Sequence, residues 1–335
     1  MYTNKLFRLP DFRFFAVLTL AAITHLPLLN AQTLDRLQKG PGAMANHLKI
    51  PSTTAPSVST AGVVNYDFVT VDVPGFPTEV YGINDEGLLS GFYFDPRFNL
   101  HGFFIRNSVL HMIDYPGSGN TAFGASDNRG VVIGNYGDSA AGAQHAVLYD
   151  INRLAWTPLP DVPNYFQNFG NGINNRNQAT GGACAAIPCV GWTWDGENYS
   201  FFQVPQADPS MGGTYPNGIN DSNEVVGYFI DSGGVQHGFF RDEDGFTILD
   251  PPGSTVTFAA DVNDREEIVG WYSDQNGKTQ GFVEKHGKYT TVDFPNSVQT
   301  LIWGNNSRGD IAGSYVDSGH LRHGFVGYRR KGATE

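Results

Sequence analysis

Short runs of apolar and aromatic residues, each four to seven long and bounded by Gly, Asn, Asp and Pro, recur along most of the chain. Runs of this length, punctuated this way, predict β-strands joined by tight turns. In one stretch they fall at 216–220, 224–230, 237–241 and 246–250. The first two meet at Asn-Asp-x-Gly or a relative, such as Asn84-Asp85-Glu86-Gly87, a hairpin turn. The third and fourth meet at Asp244-Gly245 or His286-Gly287. The second and third are joined by Asp-bearing loops such as Asp231-Ser232-Gly233-Gly234, and the longest passage follows a proline, as after Pro252.

The pattern repeats six times. Its anchors are Asn84, Asp127, Asn174, Asn220, Asn263 and Asn306, spaced by 43, 47, 46, 43 and 43 residues. A glycine follows each anchor by seven residues, from Gly91 to Gly313. A third element reads His101-Gly102-Phe103, His145-Ala146-Val147, Val190-Gly191-Trp192, His237-Gly238-Phe239, Gln280-Gly281-Phe282 and His323-Gly324-Phe325. A fourth ends in proline, as in Asp72-Val73-Pro74 and Asp293-Phe294-Pro295. Three short connections and one long one describe a four-stranded meander and a step to the next sheet. Units of this length are those of propeller blades. The expectation is an all-β, six-bladed β-propeller of four-stranded antiparallel blades over residues 66–329. Its last unit lacks a fourth strand and the run 67–73 is left over, so the N-terminal strand is expected to pair with the C-terminal blade and close the ring.

These residues resemble the bacterial extracellular repeat named for its His-Ala-Phe motif, the HAF repeat. The match rests on Gly-Ile-Asn-Asp at 82–85 and 218–221, Val-Val-Gly-Tyr at 225–228, His-Gly-Phe at 101–103, 237–239 and 323–325, and Asp-x-Pro at 72–74 and 293–295. The resemblance implies an exported protein of unassigned activity and brings no catalytic residues. Repeat three departs most, with Val190 in place of the histidine.

Composition sharpens the picture. Lys5, Arg8 and Arg13 precede an apolar segment from Phe14 to Leu29, so residues 1–31 are expected to be a signal peptide, leaving the chain secreted or periplasmic and not inserted in a membrane. Residues 32–65, rich in Ser, Thr, Ala and Pro, are expected to be a flexible linker, and 330–335 a solvated tail. Without residues 1–31 there remain 18 basic and 32 acidic residues, a net charge of −14. A surface that negative repels phosphate backbones, which argues against nucleic acid. A monomer is expected. Cys184 and Cys189 are the sole cysteines, and export places them where a close pair is joined; a disulfide is expected.

Candidate chemistry is sparse. His101, His145, His237 and His323 sit in separate blades, so a hydrogen bond to a loop carboxylate or carbonyl is a simpler role than metal binding. Asp95, Asp138, Asp231, Asp274 and Asp317 recur at one loop position and suit turn stabilisation. The acids outside the pattern are Glu79, Asp208, Asp261, Glu266 and Glu267, and nothing in the sequence pairs any two of them for hydrolysis. No metal, cofactor or catalytic residue is assigned. An aromatic near the first strand of each unit (Tyr81, Phe123, Phe169, Tyr215, Phe258, Trp303) either packs between blades or forms a ring-stacking rim for sugars or peptides. The leading expectation is a non-catalytic binding propeller for carbohydrate or an extracellular protein. An enzyme acting on polysaccharide through acids in the central funnel, and a cell-envelope structural or adhesion protein, are the alternatives.

Overall fold

The computed structural model describes residues 66–330 apart from 139–141 and 186–187. The expected signal peptide and linker lie outside the described residues, as does the tail after Arg330. The chain forms 24 strands. β1 (Tyr66–Val71) stands alone in sequence. The first meander is β2 (Thr78–Ile83), β3 (Leu89–Phe94), β4 (Leu100–Arg106) and β5 (Val109–Met112). The second is β6 (Thr121–Ser126), β7 (Val131–Asp138), β8 (Ala143–Asp150) and β9 (Ala155–Pro158). The third is β10 (Gln167–Ile173), β11 (Ala179–Cys184), β12 (Cys189–Trp194) and β13 (Tyr199–Phe202). The fourth is β14 (Thr214–Ile219), β15 (Val225–Ile230), β16 (Gln236–Arg241) and β17 (Phe246–Leu249). The fifth is β18 (Ser254–Val262), β19 (Ile268–Asp274), β20 (Thr279–Lys285) and β21 (Lys288–Val292), and the last is β22 (Gln299–Asn305), β23 (Ile311–Val316) and β24 (Arg322–Arg329).

Within each meander neighbouring strands pair antiparallel, so the fold is an all-β propeller with four-stranded blades. Four blades are separate sheets. The second and third meanders differ from the expected pattern and form one eight-stranded mixed sheet. The physical cause is local: β10 touches β8 in parallel at Gln167 and Gln144, where the Gln144 N–H donates to Phe166 O at 3.2 Å. The left-over strand does what its sequence position implied. β1 pairs antiparallel with β24 from Tyr66 opposite Arg329 to Val71 opposite Gly324, completing the last blade.

The anchors explain the turns. Asn84 Oδ1 accepts the N–H groups of Glu86 and Leu88, so the side chain holds its own hairpin. Asn174, Asn220, Asn263 and Asn306 make the same pair of bonds. Three residues after each anchor the backbone is left-handed, at Gly87, Gly130, Asn177, Asn223, Glu266 and Gly309. Gly and Asn adopt that conformation at little cost; Glu266 is the exception.

The loop end is held by a second device. His101, His237 and His323 each bond through Nδ1 to the aspartate of the proline element, at 2.7–2.8 Å from Asp114, Asp250 and Asp72. Each Nε2 faces the loop aspartate, Asp95, Asp231 or Asp317, at 3.4–3.6 Å. His145 bonds Asp161 at 2.7 Å. In the fifth repeat Lys278 reaches Asp293 instead, at 2.7 Å. In the third, Cys184 and Cys189 lie directly opposite on β11 and β12 and are joined by a disulfide. The loop aspartates also behave as turn residues: Asp231 Oδ1 accepts the N–H groups of Gly233 and Val235.

The basic run at the C-terminal end is not a solvated tail in its described part. Arg329 Nη1 bonds Glu267 at 2.7 Å and Arg330 bonds Asp67 at 2.6 Å. The second contact follows from the pairing of β24 with β1.

Candidate functional site

The two ends of the propeller have different chemistry. Strands alternate in direction, so the anchor turns and the hairpins between third and fourth strands share one end. The Asp-bearing loops and the post-proline passages share the other.

At the anchor end the repeats are stitched together. Asn84 Nδ2 donates to Asp127 O, Asn174 to Asn220 O, Asn220 to Asn263 O, Asn263 to Asn306 O, and Asn306 back to Asn84 O. Asp127 has no amide to give; there the Asn128 N–H bonds Asn175 Oδ1 and Arg129 bonds Asn177 Oδ1. All six repeats line a cavity of about 60 Å³ at this end, walled by residues such as Asn84, Asn128, Asn174, Asp221, Asp261 and Asn305. That volume suits water or one small ion better than a sugar. Asp261 is the odd member. Two residues before the other anchors stand Gly82, Ala125, Gly172, Gly218 and Gly304. The Asp261 carboxylate accepts the N–H groups of Val262 and Asn305, and burial pushes its pKa up to about 7.

The six aromatics do not form a solvent-facing rim; their exposures run from 1% to 7%. Counting from the anchors shows that they are not one set. Phe169, Tyr215 and Phe258 lie five residues before their anchors, Tyr81 and Trp303 three, and Phe123 four. On a strand, odd offsets share a face and an even one points the other way. Accordingly, Tyr81, Phe169, Tyr215, Phe258 and Trp303 join one buried cluster with Tyr228 and Trp271, while Phe123 packs in another with Tyr149 and Phe104. The rings of the first cluster meet across blade boundaries, Tyr81 on Trp303 at 5.2 Å and Tyr228 against Phe258 at 4.9 Å. The cluster closes the interior beneath the cavity instead of offering a stacking platform.

Glu79, also five residues before an anchor, is buried beside these rings. It accepts from Trp303 Nε1 and Arg322 Nη1, both at 2.8 Å. Glu267 is buried against Arg329, Arg265 and Lys285. Asp208 caps its own loop through the Ser210 N–H. Glu79, Glu267 and Asp208 are thus each held by partners of their own. Among the described residues no group of three or more His, Cys, Asp or Glu is placed to hold a metal ion.

The loop end carries what sequence reading missed. Phe98, Phe166, Met211, Val235, Val298 and Leu321 are each 40–57% exposed, and all lie in loops at this end. Met211, on the passage into the fourth meander, lies against Gly234 in that meander's β15–β16 loop. The signal was present in the sequence: large apolar residues inside otherwise polar turns, as in Asp95-Pro96-Arg97-Phe98-Asn99.

The histidine clasps at this end imply a pH dependence. Burial alone lowers the His237 pKa, but Asp250 and Asp231 outweigh it; for His323 the bond to Asp72 dominates. Both end raised. A raised folded pKa contributes stability below the unfolded value of about 6.5, lost as pH rises through the folded value. The melting temperature is expected to fall between pH 5.5 and pH 8, and His237→Gln with His323→Gln to flatten that fall. An unchanged slope in the double variant would remove the clasps as its source.

No family model and no curated protein matches the chain. Solved structures do. AofleA from Arthrobotrys oligospora is 12% identical over 85% of this chain and 91% of that one, with a TM-score of 0.52. YjhT is 11% identical over 78% and 97%, at 0.51. TolB from Acinetobacter baumannii is 8% identical over 72% and 64%, at 0.52, so the chain spans less than two thirds of its length. Identities this low establish a shared fold. Together with the strand pairing they define the class, a β-propeller built from repeats, without carrying an activity to this chain.

Proposed function

We propose that this chain is an exported, non-catalytic binding propeller of the HAF-repeat kind, six blades closed into a ring, which meets an extracellular carbohydrate or protein partner with its loop end. The carrying observation is the set of six exposed apolar side chains there. Exposed apolar groups on loops held by a rigid scaffold are where recognition is usually built. The circuit of anchor bonds from Asn84 round to Asn306 and back supports the six-bladed ring. The disulfide supports an oxidising compartment outside the cytoplasm.

The test is a glycan and peptide array probed with the purified domain and with a Phe98→Ser, Met211→Ser, Leu321→Ser variant. All three positions are exposed, so folding is expected to survive. Binding that the variant loses by about tenfold or more supports the reading. Equal binding by both proteins would move the site elsewhere.

One observation favours the enzymatic alternative. A carboxyl with a pKa near neutrality in a cavity is suited to donating a proton, and Asp261 is such a group. Sugar release from mixed polysaccharides that Asp261→Asn abolishes would establish it; no release, or release unaffected by Asp261→Asn, rules out that role for this carboxyl.

A further inference from the structure

A ligand-sized space lies away from the axial cavity. A cleft of about 410 Å³ opens between the fourth and fifth blades, on the outer side of the anchor end. Its walls are apolar, from Phe240, Leu249 and Ile268, with Ile248 45% exposed and Tyr289 alongside. A volume of this size suits a small organic molecule.

Three departures from the repeat meet there. Glu284 is four residues past the start of its Gln-Gly-Phe element. The same offset holds Ile105, Tyr149 and Trp194 in the first three repeats, Arg241 in the fourth and Gly327 in the last. A carboxylate has replaced an apolar or aromatic filler. It is 5% exposed and lines the cleft. One oxygen accepts the Gly287 N–H. Glu266 lines the same cleft from the left-handed turn position that Gly or Asn takes in every other repeat. His286 completes the rim from the hairpin between β20 and β21. Desolvation raises the Glu284 pKa and outweighs the Gly287 N–H and the nearby His286, which lower it.

We infer that this cleft is a binding site for a small organic cation, an ammonium group carried on an apolar or aromatic body. The apolar walls bury the body. The Glu284 carboxylate takes the ammonium as a charge-assisted hydrogen bond, and Glu266 adds a second negative charge at the rim. The Tyr289 ring offers a face for the same cation. The exposed apolar loop residues take no part in this cleft; of its lining, Asp250 alone also belongs to a loop-end clasp.

Calorimetric titration of the purified domain with 2-phenylethylamine tests it, beside the neutral 2-phenylethanol and the anionic phenylacetate. The amine is expected to bind at least about tenfold more tightly than the alcohol, with no binding of the acid. Glu284→Gln keeps shape and removes charge, and is expected to abolish the preference of amine over alcohol. Ile248→Arg, at an exposed position where folding is not at stake, is expected to block the amine. Equal affinity for amine and alcohol, an unchanged preference in Glu284→Gln, or no binding of the amine at millimolar concentration would overturn the site.

Discussion

A chain lacking residues 66–74 is expected to lose its cooperative thermal transition. β1 supplies the outer strand of the last blade through six residue pairs with β24. It also buries Tyr66, Phe68, Val71 and Val73. The Phe68 ring meets Phe294 at 5.3 Å and Phe325 at 5.6 Å, and Asp72 holds both His323 and the Gly324 N–H. Truncating one large core side chain costs about 2–5 kcal/mol. Losing four together costs about as much as the total stability of about 5–15 kcal/mol usual for a domain. Differential scanning calorimetry of the truncated chain is the check. A sharp transition near the wild-type temperature would mean that the strand is an ornament on a fold that stands without it.

The second large effect lies in the interior. Arg322→Met is expected to destabilise the domain by about 3–5 kcal/mol, because it strands the buried Glu79 carboxylate. Replacing both partners, Glu79→Leu with Arg322→Met, is expected to recover most of the loss. Trp303 Nε1 then keeps Ser314 Oγ at 3.3 Å as an acceptor. Urea unfolding of the three proteins decides it. A single variant within about 1 kcal/mol of wild type would show that the pair behaves as an exposed one.

The repeat was legible because each of its marks has a local cause. The anchor must accept two backbone N–H groups, and the residue three further on must tolerate a left-handed backbone. Those demands act on consecutive residues and recur with the unit. The closing strand was legible for the same reason, since Asp72-Val73-Pro74 carries the proline-element pattern. The aromatics were not, because proximity in sequence hides which face a side chain takes. A bulge just before each anchor shifts the pairing, between Val80 and Gly82 for example, and one residue of offset sends Phe123 away from the others. The joining of the second and third meanders depends on a single contact between Gln167 and Gln144, for which no sequence pattern exists. Asp261 and Glu284 were readable in principle. Each is an acid where every other repeat has something else, a contrast that appears when the units are aligned on their anchors position by position.

The pairing of Tyr66 with Arg329 has a geometric consequence. Both ends of the folded chain leave from one corner, at the anchor end, pointing away from the exposed loops. A circular permutant that joins residue 330 to residue 66 therefore needs only a short connector, and new ends can be opened in the loops at the other end.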